Sequence, residues 1–253
     1  MHDKLVGNYH NTENFMSKKP NYGQFCPLSL AAEFLCTRWT MLVLRELILG
    51  SSTFNDISRG VPRMSRTLLS TRLKELIKLR LINKAKPVAS NHAQYTLTSA
   101  GKALSNVVFS MADWGQEWLE IDLSIDDKEA DHLLWSIRRN ATHISVLPNP
   151  FIVEIALTDQ PLKRQFSWLI FEENNVDLCI IDKDFNVDVQ IKATAETLTK
   201  VWMGWCDFQE EIKSGNLKLF GETKYTSIAH EWLGRSRVAS IKKQPKELLV
   251  SNN

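Results

Sequence analysis

The sequence predicts a mainly α-helical domain followed by an α+β domain. Apolar side chains recur at helical spacing through most of 22–122, whereas four runs rich in β-branched and aromatic residues follow Pro150. An acidic stretch between Asp122 and Glu129 separates the two patterns and is expected to be a linker. We therefore expect a flexible N-terminus at 1–21, domains at 22–122 and 128–241, and a frayed tail at 242–253.

The elements of the N-terminal domain are predicted from helix signals. Pro27 suits a first helical position, Gly50 and Gly60 suit helix ends, and Ser65 and Thr98 suit N-caps. The predicted helices are 28–36, 39–49, 54–60, 65–80 and 99–120, and the predicted strands are 81–88 and 94–98, with a turn at 89–93. Helix, turn, helix and then a two-stranded wing is the order of a winged helix-turn-helix domain.

The C-terminal domain is predicted to hold a small antiparallel sheet with helices, because a meander of strands is followed by helical segments. The predicted strands are 151–157, 165–171, 176–181, 187–193 and 216–220, and the predicted helices are 128–141, 194–204, 207–214 and 223–233. Its many aromatic residues, taken alone, indicate a packed core.

Composition excludes several classes of protein. No run of about 18 apolar residues occurs, and the polar N-terminus lacks the apolar stretch of a signal peptide, so a cytoplasmic protein is expected. The cysteines are Cys26, Cys36, Cys179 and Cys206, which form no C-x-x-C pair and have no histidine at ligand spacing. We expect free thiols, no metal site and no cofactor.

Basic residues concentrate in one stretch of the N-terminal domain. Residues 22–122 carry 12 Lys and Arg against 8 Asp and Glu, whereas 123–253 carry 16 against 19. Within 59–86 there are nine basic residues and the single acid Glu75. Such a local excess is typical of a phosphate-binding element, although a solvated basic face without a partner has the same composition.

The helix at 65–80 combines an apolar stripe with a polar and basic face. Leu69, Leu73, Leu76 and Ile77 form the stripe at spacings of four and three. Short hydroxyl and basic side chains on the other face suit the base edges and phosphates of a DNA major groove. The candidate DNA-contacting residues are Arg63, Ser65, Arg66, Thr67, Ser70, Thr71, Lys74, Lys84 and Lys86. The alternative is an amphipathic helix in an ordinary helical domain.

Several motifs in one register resemble the HxlR family of winged-helix regulators. They include Cys26-Pro27, Arg38-Trp39-Thr40 with Leu44-Arg45-Glu46-Leu47, Phe54-Asn55-Asp56-Ile57, Val61-Pro62 with Ser65, Arg72-Leu73-Lys74-Glu75-Leu76, Tyr95-Thr96-Leu97-Thr98 with Gly101, and Trp114-Gly115. The resemblance implies double-stranded DNA as partner and a homodimer joined by the N-terminal helix and the long helix after the wing. Two departures are Thr37-Arg38 in place of Gly-Lys and a wing that is less basic than in the family.

Cys26 precedes a helix, where the helix dipole can lower the pKa of a thiol. Some regulators that resemble this chain sense oxidants through a cysteine at the matching position, which makes Cys26 the redox candidate. The alternative is an unreactive structural thiol. The other cysteines lie in apolar sequence contexts and are expected to be inert.

A second resemblance concerns the C-terminal domain. Val201-Trp202, Gly204 and Gly215-Asn216-Leu217-Lys218-Leu219 with Gly221 resemble the late helices and strand of the sterol carrier protein-type fold. The predicted fold class is therefore a mainly α winged helix-turn-helix domain followed by an α+β sterol carrier protein-like domain. That fold implies an apolar cavity between sheet and helices, with candidate lining residues Phe151, Trp168, Ile170, Trp202, Trp205, Phe208 and Phe220.

The predicted function is a homodimeric DNA-binding repressor controlled by a small hydrophobic effector. Alternatives are redox sensing through Cys26 and a lipid-binding or oligomerisation module whose helix-turn-helix contacts protein. An enzyme is not expected, because no nucleophile elbow, H-E-x-x-H motif or phosphate loop occurs. His132, His143 and His230 are isolated in sequence and are expected to be structural or solvated.

Overall fold

The structure is a computed structural model that describes residues 22–85, 92–120 and 127–245. Several predictions fall wholly or partly outside these residues: the flexible N-terminus at 1–21, the end of the strand at 81–88 with Lys86, most of the turn at 89–93, most of the acidic linker, and the tail beyond 245. The N-terminal domain contains helices α1 (Pro27–Leu35), α2 (Thr40–Ile48), α3 (Phe54–Gly60), α4 (Arg66–Lys78), α5 (Ser99–Ala103) and α6 (Ser105–Trp118), with strands β1 (Ile82–Ala85) and β2 (Gln94–Leu97).

Three hydroxyl side chains start helices in this domain. Thr53, Ser65 and Thr98 accept hydrogen bonds from the backbone N–H groups of Asp56, Leu68 and Gly101, respectively. Each cap satisfies a donor that would otherwise have no partner in the first turn. The sequence signals at Ser65 and Thr98 therefore place α4 and α5 where they were predicted.

The helix predicted at 99–120 is two helices, which corrects the sequence prediction. The N–H of Leu104 bonds to the carbonyl of Gly101, three residues back, and this tighter turn separates α5 from α6. A Cβ on Gly101 would lie 2.1 Å from the carbonyl oxygen of Leu81, so glycine lets α5 pack against the start of the wing.

The C-terminal domain begins with α7 (Asp127–Asn140). Its strands are β3 (Phe151–Leu157), β4 (Phe166–Glu172), β5 (Asn175–Cys179), β6 (Val189–Ala193) and β7 (Lys218–Gly221). Helices α8 (Ala195–Trp202), α9 (Phe208–Lys213), α10 (Thr223–Thr226) and α11 (Ala229–Trp232) complete it, with a 3-10 turn at Leu162–Arg164. The helix predicted at 223–233 is thus two short helices, and the strand predicted at 176–181 ends at Cys179.

The five-stranded sheet is mixed, not antiparallel as predicted. Its strand order is β5-β4-β3-β6-β7, and β6 runs parallel to β3. After the edge strand β5, the chain returns across the sheet before β6 pairs with β3. Local sequence patterns do not encode such a return, because it depends on which strand edge remains unpaired.

Each domain has its own core. In the N-terminal domain, Leu44, Ile57, Leu69 and Leu73 are buried between the helices and the wing. In the C-terminal domain, α7, α8 and α11 pack on one face of the sheet. An aromatic cluster anchors that packing, with the ring centroid of Phe151 5.6 Å from that of Phe171 and 5.4 Å from that of Trp232.

The two domains contact each other along α7 and at the end of the described chain. Arg139 of α7 pairs with the buried carboxylate of Glu46 in α2. Arg237 pairs with Asp113 of α6. Lys243 and Gln244, which belong to the tail predicted at 242–253, also bond to α6, so this part of the tail packs against the N-terminal domain. None of the described helices combines the length and apolar character needed to cross a bilayer.

Candidate nucleic-acid interface

Helix α4 presents a polar face to solvent because its apolar stripe is locked into the core. Leu69, Leu73 and Leu76 are almost completely buried. Ser65 fixes the first turn by accepting the Leu68 N–H at 3.2 Å. The side chains between the stripe positions must then point away from the domain.

The predicted DNA-contacting residues of α4 lie together on this outward face. Ser65, Arg66, Thr67, Thr71 and Lys74 are exposed, and Ser70 is half-buried. The Thr71 hydroxyl bonds to the Thr67 carbonyl at 3.1 Å, which holds it against the helix. A row of short hydroxyls flanked by two cations allows close approach to a phosphate backbone, and the helix N-terminus adds a partial positive charge.

Arg66 is positioned by the preceding helix. Its Nη2 donates to Oδ1 of Asn55 at 3.1 Å, and its guanidinium lies 4.7 Å from the ring centre of Phe54. Both partners are neutral, so the cation keeps its full charge for an outside anion. Asn55 was not among the predicted site residues, because an 11-residue separation carries no local signal.

Several basic residues of the 59–86 run have internal partners. Arg72 is half-buried, donates to Glu75 at 2.5 Å and bonds the Arg38 carbonyl at 3.2 Å. Arg63 pairs with Glu129 of α7 at 3.4 Å. The basic residues of this run are therefore of two kinds: some form ion pairs within the chain and others point to solvent. A count of charges in the sequence does not distinguish them.

The wing contributes Lys84, which is exposed on β1. Its Nζ lies 5.9 Å from the ring centre of Tyr95 on β2. Lys86, the second predicted wing contact, lies outside the described residues.

Cys26 is exposed immediately before α1. Hydrogen bonding from the backbone N–H groups of Ser29 and Leu28 lowers the pKa of its thiol. Cys36, which was predicted to be inert, is also exposed. Cys179 and Cys206 are half-buried, and burial raises the pKa of Cys206.

The seven residues predicted to line a cavity are divided by the structure. Trp202, Trp205 and Phe208 line a cavity of about 380 Å³ between the end of α8, the start of α9 and α11. Phe151 is wholly buried in the core, and Trp168 and Ile170 face the other side of the sheet from that core. Phe220 is half-exposed on the edge strand β7. The space between sheet and helices is filled by aromatic side chains, so the cavity lies beside the helices instead.

His132 is a largely buried titratable group of α7. Burial and then the positive charge of Arg45 lower its pKa to about 4, with Arg139 acting in the same direction and Glu46 against it. It lies in α7 beside the interdomain ion pairs. Within 22–85, 92–120 and 127–245, no group of three or more His, Cys, Asp or Glu side chains is placed to hold a metal ion.

Comparisons with known proteins find relatives of the N-terminal domain. The model of the HxlR-like helix-turn-helix family matches residues 34–122. The HTH-type transcriptional regulator YvaP of Bacillus subtilis is 32% identical over 102 residues, which are 40% of this chain and 94% of that one. The chain belongs to the HxlR-like helix-turn-helix family. The HxlR-like domain is a DNA-binding winged helix-turn-helix, and the protein is a transcriptional regulator.

Other HxlR-like and helix-turn-helix proteins are similar over the same fraction of the chain. YtfH of Escherichia coli, an HTH-type transcriptional regulator, is 30% identical over 110 residues, or 43% of this chain and 87% of that one. The reduced form of the regulator YodB from B. subtilis is 30% identical, with a TM-score of 0.33 over 37% of this chain and 93% of that one. The HxlR-like match ends at residue 122 and does not reach the C-terminal domain.

Proposed function

We propose that this regulator binds duplex DNA as a homodimer and represses transcription, with the outward face of α4 in the major groove. The observation that carries the proposal is the exposure of Arg66, Thr67, Thr71 and Lys74 on one side of a helix whose other side is buried. A groove admits one α-helix, and these side chains supply donors for base edges and cations for phosphates. Repression is the simpler expectation, because a dimer bound at a promoter excludes polymerase without a dedicated contact.

A DNA-binding assay on genomic fragments tests the proposal. Purified protein is expected to retain specific fragments at moderate salt, and Arg66→Ala is expected to weaken binding by about tenfold or more, since a bidentate base contact contributes about 1–3 kcal/mol. Lys218→Ala serves as control, because it removes an exposed cation from the edge strand β7 of the C-terminal sheet and not from α4. Failure of the wild type to retain any fragment in dilute salt would overturn the proposal.

The homodimer is supported by an exposed apolar stripe. Val107, Met111, Trp114 and Leu119 of α6 and its C-terminal end are 45–57% exposed and line one shallow groove. In α1 and just before it, Leu28 is 76% and Phe25 98% exposed. Apolar patches of this kind mark interaction surfaces in soluble proteins. They occupy the N-terminal helix and the long helix after the wing, where family resemblance leads us to expect the dimer interface.

We further propose that the C-terminal domain is of the sterol carrier protein type and that an apolar ligand in the cavity beside α8 controls DNA binding. A hydrogen bond between the cavity and α6 supports control of DNA binding by such a ligand. The indole Nε1 of Trp205, which lines the cavity, donates to Oε1 of Gln116 in α6 at 3.0 Å. A ligand that moved Trp205 would act on the helix assigned to the dimer interface, provided that it binds the two states with different affinity.

A fluorescent fatty-acid analogue tests ligand control. Phe208→Ala is expected to weaken binding of the analogue, whereas Phe220→Ala, an aromatic that does not line the cavity, is not. Affinity for the analogue is then measured with and without bound DNA. Equal affinities would mean that the C-terminal domain binds lipid without controlling DNA binding, and would refute control by this site.

Redox sensing through Cys26 is a second candidate, favoured by its exposure and lowered thiol pKa. The rate of alkylation by iodoacetamide is measured against pH in a Cys36→Ser background. We expect a midpoint below that of free cysteine and loss of DNA binding after oxidation. An ordinary midpoint, or DNA binding unchanged by diamide, would end this hypothesis.

A further inference from the structure

A second cavity lies between the two domains and adjoins the outward face of α4. This interdomain cleft has a volume of about 430 Å³ and is lined by α3, the start of α4, α7 and the end of β5. Its volume is within the range of small-molecule sites. Arg59 and Arg66 come from the N-terminal domain, and Leu134, Trp135, Leu178 and Ile180 come from the C-terminal domain.

One side of the interdomain cleft is apolar and aromatic. Leu178 lies in the edge strand β5 and Ile180, which is 67% exposed, follows the end of that strand, whereas Leu134 and Trp135 of α7 are almost fully buried. The Trp135 ring is already in contact with cations, because its centre lies 5.1 Å from the guanidinium of Arg59 and 4.9 Å from that of Arg138. The accessible apolar surface on this side is therefore that of Leu178 and Ile180, which suits a hydrocarbon or aromatic body.

The opposite side of the interdomain cleft is cationic. Arg66 bonds only neutral Asn55 and makes no ion pair with a carboxylate in the described part of the chain. Arg59 is 62% exposed and lies 3.7 Å from Asp56, too far for a strong hydrogen bond. The one acid in the lining, Asp131, pairs with Arg164 at 2.6 Å, which offsets its charge. Arg59, Arg66 and Arg164 against Asp56 and Asp131 leave a net charge of +1 on these side chains, which favours an anion.

We propose that the interdomain cleft binds a small aromatic carboxylate and that binding weakens the hold of the protein on DNA. The carboxylate accepts charge-assisted hydrogen bonds from Arg66 and Arg59, and the ring packs on Leu178 and Ile180. Arg66 cannot serve this carboxylate and a DNA phosphate or base at once, so the two ligands compete for one guanidinium. This regulatory half rests on the proposed function of α4, whereas the binding half does not.

Isothermal titration of the full chain with 2-naphthoate, without DNA, tests the binding half. We expect saturable binding, at least tenfold weaker binding of the neutral isostere 2-naphthamide, and at least fivefold weaker binding by Arg59→Gln and Arg66→Gln. Lys218→Gln is the matched charge-loss control at the opposite edge of the sheet. Absence of naphthoate binding, equal affinity for the amide, or no loss in either arginine variant would overturn the proposal.

The regulatory half is measured separately by fluorescence anisotropy on a retained genomic fragment. Saturating 2-naphthoate is expected to weaken DNA binding of the wild type at least fivefold and to have little further effect on Arg66→Gln. Naphthoate binding with unchanged DNA affinity would refute the coupling. A protein that binds naphthoate and no DNA would instead count against the proposed function alone.

Discussion

At the residue scale, Glu46 is a fully buried carboxylate in the N-terminal domain. Its side chain has no solvent exposure and receives hydrogen bonds from Arg45 at 2.9 Å, Arg139 at 2.5 Å and Ser51 at 3.3 Å. A Cβ on Gly60 would lie 1.9 Å from its carboxyl group, so glycine at that position makes room for it. A buried carboxylate is tolerated only when its lone pairs are satisfied, and here one satisfying donor comes from the other domain.

Replacing Arg139 is expected to destabilise the whole protein. Arg139→Met leaves a buried carboxylate with fewer donors, and breaking a buried pair in this way costs about 3–5 kcal/mol. Guanidinium denaturation measures the loss. The matched control is Arg164→Met, which breaks the half-exposed pair with Asp131 and is expected to cost about 1 kcal/mol or less. Equal losses in the two variants would show that Glu46 does not depend on its interdomain partner.

His132 predicts a pH dependence of stability. Because burial lowers its pKa to about 4, the folded protein binds fewer protons at this site than the unfolded chain does. The free energy of unfolding should therefore be highest above the ordinary histidine pKa and fall as pH drops from about 6.5 toward 4. Between pH 7.5 and 5.0 this site should account for a loss of about 2 kcal/mol.

Denaturation at the two pH values separates this contribution from others. His132→Gln should lose about 2 kcal/mol less than the wild type between them. His230→Gln, which replaces a more exposed histidine, should behave like the wild type. If all three proteins lose the same free energy, His132 is not the group that titrates.

At the element scale, α6 has two faces with different partners. One face is covered within the chain, since Arg237 bonds Asp113 and the Phe109 carbonyl, and Lys243 bonds the Gln116 carbonyl at 3.2 Å. The other face carries the exposed Val107, Met111 and Trp114. A helix that is apolar on a side its own domain leaves open is expected to pack against another chain.

Charge placed on the open face of α6 should dissociate the proposed homodimer. Met111→Glu and Trp114→Glu put a carboxylate into the proposed apolar interface, where its desolvation is unfavourable. Sedimentation velocity is expected to show a monomer for these variants and a dimer for the wild type. Leu162→Glu, at an 84% exposed apolar residue of the C-terminal domain, should remain dimeric. A monomeric wild type at micromolar concentration would contradict this assignment.

At the scale of the whole molecule, charge is unevenly distributed between the domains. The N-terminal domain has a basic excess and the remainder a slight acidic excess, although the net charge is only +2. Internal ion pairs such as Arg72 with Glu75 reduce the number of cations available to DNA. Affinity for DNA should accordingly depend on a few outward cations and fall steeply with salt.

Replacing each outward cation singly is expected to reduce the salt dependence of DNA binding if that cation contacts a phosphate. If Lys74 contacts a phosphate in each subunit, Lys74→Ala should reduce the slope of log K against log salt by about two per dimer, since each contact contributes about 0.9. The slope is measured by fluorescence anisotropy between about 50 and 300 mM salt, roughly the range over which such slopes are resolved. Lys218→Ala should keep the wild-type slope. An unchanged slope for Lys74→Ala would remove that residue from the phosphate contacts.

The sequence alone determined most elements of the N-terminal domain, because their signals are local, but it did not predict the break between α5 and α6. Capping hydroxyls at Ser65 and Thr98 and the stripe of Leu69, Leu73 and Leu76 act within a few residues of one another. The outward face of α4 followed from the same periodicity, and all of its described candidates except half-buried Ser70 are exposed.

Only the tertiary structure decided the parts that depend on long-range pairing. The parallel register of β6 with β3, the bond from Arg139 to Glu46 across 93 residues, and the cleft joining Arg66 to Trp135 all need distant segments to meet. The same holds for the ligand cavity, since residues predicted to share it were separated by the packing of the aromatic core. Local patterns specify which face of an element is buried, but the partner that buries it is chosen by the global packing of both domains.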